Sequence, residues 1–389
     1  MDLYESYIQN DRQRKLLEST GKLADVFSSR AEKFDREDTF PFENFSDLKK
    51  AGYVALTVPE EYGGDELSLY ELVMLQERLA TGDAATALSI GWHLGSLMEL
   101  SEGRPWKEET FKSLCKRIVE NKVLINRAAT EPATGSPTRG GIPETNAVKT
   151  EKGWVLNGRK SFTSMAKALD YSLVSARFEG KAEKGFFLVD HSLEGVSIEE
   201  TWDTIAMKGT GSDDLVLEDV ALPSSALVER DSDGHNRGEA LPKAWLLHIP
   251  ACYIGIAIAA RNEAIRFSKE YSPNSLPGPI KDVPEVQRKI GEIELELFKA
   301  RQVLYSVADK WDNEPEKRAL MAAELASVKH IVANSAFHIV DTAMRIVGAR
   351  SLFRSNPMQR YYRDVRAGLH NPPMDDMVIS MLARQALGE

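Results

Sequence analysis

Cysteine is almost absent: Cys115 and Cys252 are the only two among 389 residues, and they lie far apart in the chain. That excludes a disulfide framework, and since each sits in a helix-like apolar run, buried free thiols in a reducing compartment are expected. An excess of positive charge is also missing. Lys and Arg total 49 against 59 Asp and Glu, a net charge of −10 with the two signs mixed along the chain. Duplex nucleic acid is held largely by phosphate neutralisation, so no nucleic-acid partner is expected. No metal site is expected either, and the sequence has no short repeat and no low-complexity tract. The opening residues MDLYESYIQNDRQRK lack the apolar core of a signal peptide. The longest apolar stretch, Trp245 to Ala260, contains His248 and Pro250 and reads as too short to cross a bilayer. It reads instead as a fully buried helix, with no membrane partner and a cytoplasmic location expected.

Hydrophobic residues make up 42% and charged residues 28%, an ordinary globular balance in a chain long enough for two or three domains. Periodicity divides it into three parts. Residues 1–121 are helical in pattern, broken at Gly52, Pro59 and Gly63-Gly64. Leu72, Val73, Leu75, Leu79 and Ala80 form one stripe of a helix starting near Ser68, where Ser68 and Glu71 have the spacing of a capping box. Ala84 to Leu97 is nearly continuous in Ala, Leu, Ile and Gly, as a buried helix would be. Over 122–232 the period changes to that of strands, in six runs: VLINRAAT, GWVLNGRKSF, YSLVSARF, GFFLVD, GVSIEE and DLVLEDVAL. Asn157-Gly158 reads as a hairpin turn between strands. Over 233–389 helices return: a run over 241–271, a Pro-rich break over 272–284, amphipathic helices Glu285–Trp311 and Pro315–Val347, and a final helix near Pro373. The expected class is α+β, mostly α. An N-terminal helical domain precedes a middle antiparallel β-barrel or sandwich and a C-terminal four-helix bundle.

Six local motifs follow one another in a specific order: PEEYGG at 59–64, GDAATALSIGWH at 82–93, ATEPATGS at 129–136, GWVLNGRKSFTS at 153–164, WDTIAMKGTGSDDLVLEDVALP at 202–223 and AMRIVGARSLFRSNPMQRYYRDVRA at 343–367. In that order the chain resembles the acyl-CoA dehydrogenase superfamily over nearly its whole length. The resemblance implies a flavin-dependent oxidoreductase carrying FAD, or FMN as the alternative, assembled as a homo-oligomer, a tetramer. Carried onto this sequence, the flavin loop runs from Thr130 to Ser136, with Arg127 on the strand leading into it. Thr130 offers a hydroxyl to the ring, while Ala133, Thr134 and Gly135 allow close approach of backbone amides. Phe162 falls where the family sets an aromatic beside the ring, and Ser164 where it sets a hydroxyl near the ring's edge. Such a wall suits a flat, apolar ring face. Arg345, Gly348 and Ala349 stand where the family carries a glutamine and two glycines against the adenine half of a neighbouring subunit's FAD. A guanidinium there would suit a pyrophosphate.

The reaction the family implies removes the α-proton of an acyl thioester while the β-hydride passes to the flavin, which requires a carboxylate base. The two family positions for that base fall on Pro372 and near Trp245. Asp375 and Asp376 lie close by, and Asp376 is the candidate base, although acidic residues also stabilise a helix start without doing chemistry. Further departures are Lys243-Ala244-Trp245-Leu246 in place of coenzyme A contacts, SPNSLPGPIKDVP where adenine contacts belong, and Pro137 closing the flavin loop. His370 suggests a different chemistry, because relatives on this fold are monooxygenases that use histidine and hydroxyl groups near the ring. His370 with His93 and Ser164 suits that role, since a neutral imidazole both donates and accepts. The bulky stretch around Trp245 and Tyr253 points to a small or aromatic substrate, with His93, Trp245 and Tyr253 as contacts. Three readings follow, of which the first is the one adopted and the other two are alternatives. One is an acyl-CoA dehydrogenase with a relocated base and an electron-transferring flavoprotein. The second is a two-component monooxygenase with reduced FMN or FAD, a flavin reductase and oxygen. The third is an inactive scaffold.

Overall fold

A computed structural model describes residues 3–135, 141–230 and 242–388. Helices α1 (Asp11–Glu37), α2 (Phe42–Lys50), α3 (Leu69–Ala80), α4 (Ala84–Gly103) and α5 (Glu108–Asn121) come first. Strands β1 (Ile125–Ala128), β2 (Asn146–Lys149), β3 (Gly153–Lys160), β4 (Tyr171–Phe178), β5 (Lys184–Asp190), β6 (Val196–Glu199), β7 (Asp214–Pro223) and β8 (Leu227–Arg230) follow. The last part holds α6 (His248–Glu270), α7 (Pro284–Asn313), α8 (Ala322–Val347), α9 (Met358–Ala367) and α10 (Asp375–Leu387). The helix–sheet–helix order is the one the periodicity implies. Strands β2 and β8, of four residues each, and helix α9 are additions to it.

Local chemistry sets the helix ends. Ser68 caps α3 in the expected box: its hydroxyl accepts from the Glu71 amide at 3.2 Å, and the Glu71 carboxylate accepts from the Ser68 amide at 3.1 Å. Asp83 caps α4 by accepting from the Thr86 amide. Pro284 opens α7 at a position where a helix needs no N–H.

The strands form one sheet in the order β6-β7-β3-β2-β4-β5-β8, with β1 also on β4. It is not purely antiparallel as expected: β4 runs parallel to both β1 and β2. Parallel neighbours need a long connection: residues 129–170 join β1 to β4, and residues 150–170 join β2 to β4. Nor is Asn157-Gly158 a hairpin turn. It lies inside β3, where the register against β7 slips between Leu156 and Gly158. A Cβ on Gly158 would sit 2.5 Å from the Thr145 hydroxyl, so the glycine serves close backbone approach at a bulge. Trp154, Phe178 and Phe187 pack together beneath the sheet.

Helix α6 is the axis of the helical part and packs on α3, α4, α8 and α9. Ile249 through Ala260 are buried, and each enclosed Ile contributes about 1.5–3 kcal/mol by leaving water. With its one-turn lead-in from Ala244 it is long and apolar enough to cross a membrane, contrary to the expectation from the apolar run alone. The apolar window is 89% buried inside the protein, which is the fate of a core helix. Glycines let the neighbours come this close. A Cβ on Gly95 would lie 2.2 Å from the Trp245 ring, and one on Gly255 would lie 2.4 Å from the Glu77 carbonyl oxygen. The Gly95→Ala variant is expected to lose about 1–3 kcal/mol from overpacking, to be measured as a lower urea midpoint at unchanged slope.

Candidate active site

The residues expected to face a flavin converge where β1 ends beside β3. The Thr130 carbonyl accepts from the Ser161 amide at 2.9 Å, and the Asn126 side chain donates to the Ser164 carbonyl at 3.2 Å. Thr130, Phe162 and Ser164 are thereby held on one framework. Phe162 is 65% exposed and sits at φ 57°, in the left-handed region that a bulky side chain avoids. Its ring meets Trp202 edge-on at 5.7 Å. The ring is thus presented to solvent from a backbone conformation that costs energy to hold. Ser164 is buried and its hydroxyl pairs with Ser212 at 3.0 Å, which pairs in turn with Thr210 at 2.9 Å. Ser136 lies outside the described residues.

The loop that carries Thr130 is anchored by an ion pair that the sequence pattern did not single out. Glu131 accepts from the Thr145 amide at 3.1 Å, the Thr145 hydroxyl at 2.6 Å and the Lys160 ammonium at 2.5 Å. Lys160 is fully buried and also donates to Ser175. Burial pulls its ammonium down to about 8 even though Glu131 opposes the shift. Alternation along β3 offered a signal: Trp154, Leu156 and Lys160 share the buried face.

Other candidates are placed differently from expectation. His93 is buried in α4 with both nitrogens occupied: Nε2 lies 2.8 Å from the Val54 carbonyl, and Nδ1 accepts from the Ile125 amide at 3.0 Å. Burial lowers it to about 4, so it is a neutral tie between α4 and β1 with no atom left for a substrate. Tyr253 is likewise enclosed. Its hydroxyl donates to Asn371 at 2.5 Å and its ring packs on Gly368, clamping the 368–371 segment to α6. Trp245 is buried, stacked on His248 at 5.8 Å with Trp92 edge-on to both rings.

Arg127 is neutralised by Glu99 at 3.1 Å and Glu229 at 3.6 Å, and Lys243 reaches Glu99 at 2.9 Å. Burial opposes ionisation of Glu99, but Arg127 and Lys243 outweigh it, and the carboxyl stays below the usual range. Asp375 turns inward to α8, accepting from Asn334 at 2.9 Å and lying 3.1 Å from His330. Asp376 is exposed, with its one described polar contact to the Met377 amide. His370 is exposed, its backbone amide bonded to the Ala367 carbonyl. Arg345 is exposed and paired with Asp341 at 2.8 Å, while Gly348 at φ 69° and Ala349 lie in the turn that ends α8.

This geometry stands beside clear similarities. Residues 10–103, 126–220 and 247–371 match the N-terminal, middle and C-terminal domain models of acyl-CoA dehydrogenase. YdbM of Bacillus subtilis, named provisionally as an acyl-CoA dehydrogenase, is 55% identical over 98% of both chains. The chain belongs to the acyl-CoA dehydrogenase family. Among more distant relatives, an L-evernosamine nitrososynthase from Micromonospora is 28% identical, covering 93% of this chain and 87% of its own.

Two solved structures share the family fold at low identity. Butyryl-CoA dehydrogenase of Megasphaera elsdenii superposes at TM-score 0.85 with 20% identity over the whole of both chains. TdsC of Paenibacillus, solved with FMN and indole, superposes at 0.85 with 21% identity over 96% of this chain and 97% of its own. The family fold thus serves proteins named for unrelated chemistries.

Two outcomes test this site. Lys160→Met strands a buried carboxylate and is expected to lose about 3–5 kcal/mol in thermal or urea unfolding, with parallel loss of any bound flavin. For His93, the folded pKa lies below the unfolded one of about 6.5, so its contribution is full above that pH and is lost as pH falls. The stability gap between wild type and His93→Ala should therefore shrink by about 1.4 kcal/mol per pH unit between pH 6.5 and 4.

Proposed function

We propose that this protein is a flavin-dependent monooxygenase that takes reduced FMN from a partner reductase and acts on a compact or aromatic substrate. The observation that carries the reading is that, among the described residues, neither place where the family sets its base carries a carboxylate. Pro372 and Trp245 occupy the two family base positions, Asp375 is engaged by α8, and Asp376 is exposed. A base must lie within hydrogen-bond reach of the proton it removes, and a proline or an indole has no proton-accepting group to offer.

The residues present fit a flavin ring. Phe162 supplies the exposed wall, Thr130 the loop contact, and Ser164 with Ser212 a hydroxyl pair beside it. When bound, reduced flavin supplies the electrons with which oxygen is activated. Around it, His370 donates and accepts protons at the open side, and Tyr253 holds the 368–371 segment in place through Asn371. FMN is favoured over FAD because Arg345 is committed to Asp341 and Ala349 replaces a glycine, which weakens the hold on an adenine half. The bulk of Trp245, enclosed at this place, disfavours a long acyl chain, and a compact substrate is the reading.

A second reading is α,β-dehydrogenation of an acyl-CoA with FAD, Asp376 as base and an electron-transferring flavoprotein as acceptor. Membership of the family and the likeness to YdbM favour it. Anaerobic titration of flavin-loaded protein with a panel of acyl-CoAs separates the two. No bleaching of the visible flavin band is expected, whereas reduced FMN with oxygen should support substrate-dependent oxygen uptake. Bleaching by any saturated acyl-CoA would overturn the monooxygenase reading and direct attention to Asp376.

A further inference from the structure

Asp364 is a buried carboxylate that the reading above leaves unused. It lies on α9, 6% exposed, and its one described hydrogen bond accepts from the Met207 amide at 2.6 Å. The charged groups that face it are Arg360 and Arg363 of its own helix and Asp35 of α1. From α6, Cys252 and Tyr253 face it as well, and burial holds both of them protonated. Lys208, beside Met207, is paired with Asp38. Enclosing a carboxylate is costly, so what it holds must matter. Met207 sits in the left-handed region at φ 53°, and its carbonyl accepts from the Trp202 indole at 3.2 Å and the Thr210 hydroxyl at 2.9 Å. Both partners lead to the candidate site. The Trp202 ring meets Phe162, and the Thr210 hydroxyl continues through Ser212 to Ser164. The Thr210 carbonyl also accepts from the amide of Met165, itself left-handed at φ 54°, at 2.7 Å. Phe162, Met165 and Met207 are thus three strained residues in one knot, and such strain persists only where the surroundings over-determine it.

We propose that Asp364 is a positioning residue: by holding the amide of Met207 it fixes where Trp202 and Thr210 lie, and so how Phe162 and Ser164 meet the flavin ring. The proposal rests on the reading that a flavin ring lies against Phe162, which the monooxygenase and dehydrogenase alternatives share. With its amide anchored, Met207 keeps the left-handed turn that points its carbonyl at both donors. Without the anchor the turn relaxes, the indole and the Thr210 hydroxyl lose their acceptor, and the wall behind Phe162 loosens. A charged acceptor holds an amide more firmly than a neutral one, which accounts for a carboxylate at this place. Burial raises its carboxyl to about 6, opposed by the Met207 amide and Arg360. Arg363 supports the same loop from the next position on α9, donating to the Ile205 carbonyl and pairing with Asp35.

Titration of the whole protein with oxidised FMN, followed by quenching of flavin fluorescence, tests this. At pH 7.5, Asp364→Ala is expected to bind FMN about tenfold more weakly than wild type. Asp364→Asn, which keeps an acceptor, is expected to stay within about threefold of it. Trp202→Phe removes the indole donor, and its loss combined with Asp364→Ala should fall short of the product of the two single losses, because both break one link. Should Asp364→Ala not fold, wild type and Asp364→Asn give an independent arm. Their difference in affinity should close between pH 7.5 and 5 as the Asp364 carboxyl takes up its proton, while the phosphate of FMN titrates alike in both. Unchanged affinity in Asp364→Ala, full multiplication of losses in the double variant, or a difference that does not move with pH would overturn the proposal. Wild type that binds no FMN would overturn the flavin reading and this one with it. Bleaching by an acyl-CoA would overturn the monooxygenase reading alone.

Discussion

The close packing of α6 against α3 and α4 is the constraint on which the rest depends. From His248 to Ala260 this helix carries no charged side chain, so water must be excluded from every side of it. Three glycines make that possible: Gly91 and Gly95 on α4 and Gly255 on α6 each stand where a Cβ would collide with the opposing chain. Helices that approach so closely leave little free volume between them. That lack of room is also what sets the character of the site, because Trp245 and His248 fill the place between α4 and α6.

The sheet contributes a second kind of rigidity. Glu131 and Lys160 sit beneath the loop that ends β1, with Thr145 and Ser175 satisfying their remaining hydrogen bonds. A buried ion pair is a poor source of net stability, since desolvation offsets most of the attraction. Its effect here is positional. The carboxylate receives donors from two segments and fixes the loop that carries Thr130 against β3. A preorganised wall of that kind is worth more to a flavin ring than the same residues on a mobile loop.

Chemistry diverges on this framework through a few positions. Neither Pro372 nor Trp245 interrupts a helix or strand of the family fold. The 368–371 segment stays in place through the Tyr253–Asn371 bond. Fold therefore says little about reaction type here, and the site's own side chains must carry that argument.

Much was legible from the chain alone. Apolar spacing and the Ser68–Glu71 box located α3, the small-residue run located α4, and the order of the motifs named the family. The buried position of Lys160 was present in the alternation along β3 but was not read from it. These features are local, and a local signal survives in one dimension. The partners of each polar group were not legible, because they come from distant segments. His93 looked like a substrate contact until Val54 and Ile125 were seen to occupy both nitrogens. Tyr253 looked free until Asn371 met its hydroxyl, and Asn157-Gly158 looked like a turn until Thr145 crowded the glycine. The sequence by itself determined which elements form and which faces they bury, since period and capping act within a few residues. Only the tertiary structure decided which polar atoms remain unmatched, because satisfaction of a hydrogen bond depends on what the fold brings to the other side.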